Sequence, residues 1–65
     1  MELHVHSHGR FVAIISKQHK LSDGFTRETP WLLLSNTGRV DRFATMAEAR
    51  DEARKTWPSV GFKRI

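Results

Sequence analysis

The chain has 65 residues, no cysteine, and 11 Lys and Arg against 7 Asp and Glu, which gives a net charge of +4. This length predicts one domain near the lower limit for independent folding, and the lack of cysteine excludes disulfides and cysteine-based zinc sites. No apolar run approaches the roughly 18 residues of a membrane span, and the N-terminus lacks a signal-peptide core, so we expect a cytoplasmic protein. The basic balance favours nucleic acid as a partner, although such a charge can also serve solubility alone.

The first quarter of the chain predicts two strands joined by a tight turn. In residues 2–7, apolar Leu and Val alternate with His, which is the pattern of a strand with one buried face. His8-Gly9 follows as a turn signal, because glycine accepts the backbone angles that such turns need. Residues 11–15 are apolar on both faces and predict a central strand.

The middle of the chain predicts a long loop and then a hairpin. Residues 17–28 are polar, contain the turn cluster Ser22-Asp23-Gly24, and predict a loop of the kind that often carries function. Residues 29–34 predict a third strand with a proline near its start. Residues 35–39, Ser-Asn-Thr-Gly-Arg, predict a tight turn before a fourth strand at 40–43, because Asn and Gly tolerate positive φ angles.

The last third predicts a capped helix and a closing strand. Thr45 and Glu48 fit a capping box at a helix start, and Trp57-Pro58 ends the helix, which runs over residues 46–56. Its apolar stripe has spacings of three and four: Met46, Ala49, Ala53 and Trp57. Residues 60–65 predict a fifth strand. The order β-β-β-β-α-β predicts an α+β fold, a mostly antiparallel sheet packed on one helix.

The aromatic residues divide into core candidates and binding candidates. Those on predicted strand or helix faces are assigned to the core: Phe11, Phe43, Trp57 and Phe62. Phe25 lies in the polar loop and Trp31 follows a proline, so each is a candidate anchor for a partner or a stacking platform. The alternative for both side chains is packing against the sheet.

A single helix covers only one face of a sheet. Strict alternation leaves one of two apolar pairs on the other face: Val12 with Ile14, or Phe11 with Ile15. Apolar residues on that face, or an unpaired sheet edge, predict association with a protein, including a homodimer.

The histidines at positions 4, 6 and 8 share one face if the first strand runs through all three. Two of them could bind Zn²⁺ together with His19 or a carboxylate. The interpretation we prefer for His4, His6 and His8 is a solvent-facing strand surface, so no metal or other cofactor is predicted. No serine lies in a nucleophile motif and there is no cysteine nucleophile, so we predict a protein that is not an enzyme.

The basic residues are the stronger functional signal. Arg39 and Arg42 flank the hairpin turn, and Lys17, Lys20 and Arg27 border the long loop. Guanidinium groups donate paired hydrogen bonds to phosphates and base edges. These five residues are therefore the predicted nucleic-acid contacts, and a solvated basic surface is the alternative.

Residues 10–57 resemble the small sheet-plus-helix domains of tyrosine recombinases that bind arm-type DNA sites. The resemblance is in the layout of the strand at 31–34, the turn, the strand at 40–43, and Thr45-Met46-Ala47-Glu48-Ala49 at the helix start. It implies that the sheet face carrying Arg39 and Arg42 enters the major groove.

The sequence thus predicts a small non-enzymatic binding module that contacts nucleic acid through basic hairpin and loop residues. The alternative is a protein-interaction module, such as a phage or mobile-element accessory protein that binds and modulates a host protein. Neither prediction includes a membrane.

Overall fold

The computed structural model describes residues 2–18 and 28–64. The elements are β1 (Glu2–Ser7), β2 (Arg10–Lys17), β3 (Trp31–Ser35), β4 (Val40–Phe43), α1 (Met46–Thr56) and β5 (Val60–Arg64). The predicted α+β fold is confirmed, because the five strands form one antiparallel sheet and α1 packs on it.

The sheet has the strand order β4-β3-β2-β1-β5. The first four strands are neighbours in chain order, whereas β5 pairs antiparallel with β1 at the far edge. Helix α1 therefore links one edge strand to the other and packs against β2, β3 and β4 on the way. This path covers one face of the sheet.

Both predicted hairpin turns are confirmed by their backbone angles. His8 and Gly9 have φ angles of 52° and 78°, and positive values at both positions are typical of the two-residue hairpin turn. In the second turn Gly38 has φ 91° and donates to the Ser35 carbonyl at 3.0 Å. Glycine there avoids the steric cost of a side chain in the left-handed region.

The helix begins and ends where the sequence predicts. The Thr45 hydroxyl oxygen accepts a hydrogen bond from the Glu48 amide at 3.2 Å, which satisfies one free N–H of the first turn. At the other end Trp57 adopts an extended conformation, and its amide donates to the Ala53 carbonyl at 3.0 Å. The predicted stripe is confirmed as well, since Ala49 and Ala53 are fully buried.

The core lies between α1 and the sheet. Its buried apolar residues come from three strands and the helix: Leu3, Val5, Ala13, Ile15, Leu33, Ala49 and Ala53. Phe43, Trp57 and Phe62 are partly buried against this core, in line with their assignment. The assignment of Phe11 to the core is wrong, because that residue is 43% exposed.

A β-bulge explains the position of Phe11. Val5 pairs with Ala13, but the next residue, His6, pairs with Phe11, so Val12 is the extra residue on β2. An extra residue breaks the strict alternation of faces along a strand. Phe11 and Ile14 therefore share the face opposite α1, whereas Val12 packs against the core. Neither pair predicted for the uncovered face is correct. Val12 with Ile14 includes a helix-side residue, Val12, and Phe11 with Ile15 includes another, Ile15.

Candidate binding face

We call the sheet surface opposite α1 the open face. Residues paired across strands lie on the same face, so the register defines three rows that cross the sheet. The first row is Phe11, His6 and Gly61. The second row is Val40, Leu34, Ile14, His4 and Lys63. The third row is Arg42, Leu32, Ser16 and Glu2.

Three rings form a cluster on this face. The ring centroids of His4 and Phe11 are 5.3 Å apart, and those of His6 and Phe11 are 5.9 Å apart. Both pairs meet edge to face at interplanar angles of 72° and 73°, a favourable arrangement for aromatic rings. Because Phe11 is 43% exposed, the cluster presents aromatic surface to solvent.

An apolar strip lies beside the ring cluster. Val40 is 53% exposed and Leu34 39% exposed, and both lie in the same row as the half-buried Ile14. Leu32, which is also half-buried, adds a fourth apolar side chain in the neighbouring row. Contiguous exposed apolar groups are a feature of binding surfaces.

Carboxylates are few at the strand positions of the open face. The carboxylates of the described residues are Glu2, Glu28, Asp41, Glu48, Asp51 and Glu52. Glu2 lies at an open-face position of β1, whereas the last three lie on α1 and Asp41 pairs with the buried Leu33. Glu28 precedes β3 and belongs to no strand pair. The open face also carries Lys63 on β5 and Arg42 on β4, so its paired positions hold one lysine, one arginine and one carboxylate.

The structure separates the two hairpin arginines. Arg42 is on the open face, where its Nη2 donates to Gln18 Oε1 at 2.9 Å and its Nε to Thr29 Oγ1 at 3.3 Å. The Nε of Arg39 instead lies 3.0 Å from Oδ2 of Asp41, a helix-side residue. The two guanidinium groups therefore do not share a face, in contrast to what the recombinase resemblance implies.

The other predicted contacts are scattered or lie outside the described residues. Lys17 is exposed at the end of β2, where it pairs with Trp31 on the helix side. Trp31 is half-buried and packs against the core, which is the alternative expected for this side chain. Lys20, Phe25 and Arg27 lie outside the described residues.

Sequence reasoning missed Phe11, Gly61 and Lys63 as members of one surface. The alternation of β1 did place His4 and His6 on one face, and the 6.4 Å between their ring centroids agrees. No local pattern reveals the bulge that adds Phe11 to them. The available signal was the glycine inside the last predicted strand, because such glycines often mark a close approach by a ligand.

The histidines of the described part of the chain do not make up a metal site. His8 lies in the first turn and does not extend the row of histidines, and residues 2–18 and 28–64 hold no group of three metal-binding side chains. Beside α1, an open groove of about 230 Å³ is lined mainly by the carboxylates of Glu48, Asp51 and Glu52. None of the helices within the described ranges has the length and apolar character needed to cross a membrane.

Comparisons with known proteins do not assign a family. Models of protein families, curated proteins and solved structures contain no match to this chain. The resemblance to recombinase arm-type domains stays a prediction based on the layout of residues 10–57. The open face and the charged residues on it are the features of this chain that bear on function.

Proposed function

We propose that this protein is a small non-enzymatic module that binds single-stranded nucleic acid on the open face of its sheet. The observation that carries the proposal is the ring cluster, in which the exposed Phe11 contacts the half-buried His4 and His6. Unpaired bases stack on aromatic side chains with little dependence on sequence, at about 1–3 kcal/mol per base. Exposed rings on an antiparallel sheet are a recurrent platform for such stacking.

The cations at the two edges support the same proposal. Lys63 and Arg42 lie on β5 and β4, the outer strands of the sheet, with the ring cluster and apolar strip between them. Four strand spacings of about 4.8 Å separate the edges by about 19 Å. A strand of nucleic acid that crosses the sheet would therefore meet a cation at each edge and aromatic surface in between.

Single-stranded nucleic acid fits this arrangement better than a duplex. Major-groove recognition needs several donors on one projecting element. The hairpin between β3 and β4 does not supply them, because Arg39 is paired with Asp41 on the helix side and Arg42 lies on the open face. The bases of a duplex are stacked on one another and cannot reach the rings of a sheet.

The test is a titration of fluorescein-labelled oligo(dT) and oligo(U), read by fluorescence anisotropy at 50 and 200 mM salt. We expect binding that weakens with salt, because phosphate contacts release counterions. Lys63→Ala should reduce the slope of log K against log salt by about 0.7, the value for one phosphate contact on a single strand. Lys55→Ala removes the same charge from α1 and is the matched control, expected to leave the slope unchanged.

Association with another protein is the second candidate, and the apolar strip favours it. The strip places Val40 and Leu34 in solvent without a covering element in the described part of the chain. This candidate matches an accessory protein of a phage or mobile element that binds a host protein. In either role the proposed location is the cytoplasm, where both kinds of partner occur.

A homodimer through the open face alone would be weak. The face spans five strands. At about 4.8 Å per strand and about five residues of 3.3 Å each, it measures roughly 24 by 17 Å, or about 400 Å². Two copies would bury about 800 Å², below the roughly 1,200 Å² at which specific stable interfaces begin. Light scattering across a concentration series measures this directly, and a dimer that persists at low micromolar concentration would favour the protein-binding role.

A further inference from the structure

Gly61 lies within β5, where none of the usual structural reasons for a glycine applies. Gly9 and Gly38 need positive φ angles, but Gly61 does not have one. A Cβ added at Gly61 would meet no atom within 4 Å, so no neighbouring group requires the space. The pairing of β5 with β1 is regular and contains no bulge.

A glycine at this position lowers stability without a benefit inside the fold. Glycine loses more backbone entropy on folding than other residues and has no side chain to pack on the sheet. Strand formers such as valine would be favoured by up to about 1 kcal/mol. The remaining common reason for a strand glycine is the close approach of a ligand or of another backbone.

The missing side chain leaves a notch beside the ring cluster. In the first row of the open face, Phe11 flanks His6 on one side at 5.9 Å between ring centroids, and Gly61 flanks it on the other. The side of the imidazole that faces β5 is therefore not covered by a paired side chain. Since β5 is an edge strand, the notch also opens sideways to solvent.

We propose that this notch is a base-binding subsite, in which one unpaired base lies over Gly61 and stacks on the His6 imidazole. Lys63 lies two residues further along β5 on the same face, about 7 Å away. Its flexible ammonium can contact the phosphate of the same nucleotide. This subsite rests on the proposed function. It specifies which part of the ligand is held beside Gly61, namely one unpaired base and its phosphate.

Charge complementarity favours a nucleotide over a second copy of the chain at this notch. Among the described residues, the open-face positions of β1 and β5 hold one carboxylate, Glu2, which lies on the far side of His4 from His6. The apolar strip of Val40 and Leu34 is on the opposite half of the sheet. A protein partner that docks through apolar contacts would be centred there rather than over Gly61.

The test is a graded series at one position, Gly61→Ala and Gly61→Val, with labelled oligo(dT) and oligo(U) as separate probes. Both variants should fold, because the backbone is compatible with a side chain and the space is empty. Steric exclusion predicts a small loss of affinity for alanine and a loss of at least fivefold for valine. Losses of equal size for the two variants would not follow side-chain volume and would overturn the subsite. The preferred probe distinguishes DNA from RNA as the natural ligand.

Two further measurements make each outcome decisive. Thermal unfolding should show that Gly61→Val is at least as stable as the wild type, and the His6 ring protons of the wild type should shift on addition of oligonucleotide. Valine with unchanged affinity would overturn the subsite and leave the proposed function standing. Wild type that binds neither probe would overturn both. If Gly61→Val unfolds, an unshifted His6 spectrum in the bound wild type overturns the subsite, and a shifted spectrum supports it.

Discussion

The substitution Phe11→Leu separates base stacking from apolar docking. Leucine keeps an apolar side chain of related size and removes the aromatic surface. If bases stack on Phe11, the loss should approach the 1–3 kcal/mol that one stacked base contributes, or roughly 5- to 150-fold in affinity. If a protein docks on the same face through apolar contact, leucine should bind almost as well as phenylalanine.

The expected effect of Phe11→Leu on the free energy of unfolding is modest. Phe11 is 43% exposed, so a little over half of the residue is covered. For an aromatic side chain of about 200 Å², this is roughly 110 Å² and at most about 3 kcal/mol for complete removal, at about 25 cal/mol per Å². Leucine retains most of the covered area, and exchanges that preserve volume usually cost less than about 1.5 kcal/mol.

Anisotropy titration with oligo(dT) measures the affinity, and urea denaturation measures the free energy of unfolding of the same preparations. Phe11→Trp is the matched variant, because it keeps an aromatic surface and should retain binding. Wild-type affinity in a folded Phe11→Leu protein would refute base stacking at this position. A loss of affinity shared by the leucine and tryptophan variants would show that the cluster geometry, and not the aromatic surface, is required.

Two further predictions concern the helix start and the hairpin arginines. Thr45→Ala should lower the free energy of unfolding by about 1 kcal/mol because it removes the acceptor for the Glu48 amide. Thr45→Ser keeps a hydroxyl and should have nearly the stability of the wild type. Equal free energies of unfolding for all three proteins in denaturant would contradict the role of Thr45 as a cap. Arg42→Ala should weaken oligonucleotide binding at low salt, whereas Arg39→Ala, which removes the same charge beside Asp41 on the helix side, should change it less than twofold. The reverse order in the anisotropy titration would show that the ligand contacts the helix side.

Much of the fold could be predicted because the signals are local. The φ angles of His8, Gly9 and Gly38 follow from turn chemistry, and the bounds of α1 follow from its cap and the proline after Trp57. The alternation in β1 assigned Leu3 and Val5 to the core. Each of these features depends on a few neighbouring residues, so the sequence alone determined the elements, their order and the buried stripe of the helix.

The candidate site could not be predicted in the same way. Phe11 and Ile14 share a face only because the bulge shifts the pairing by one residue. Gly61 comes beside His6 only because β5 adds to the free edge of β1. These positions depend on how the strands pair, which is set by register, packing and the path of α1. The sequence by itself therefore determined which elements form, and only the tertiary structure decided which side chains meet on the open face.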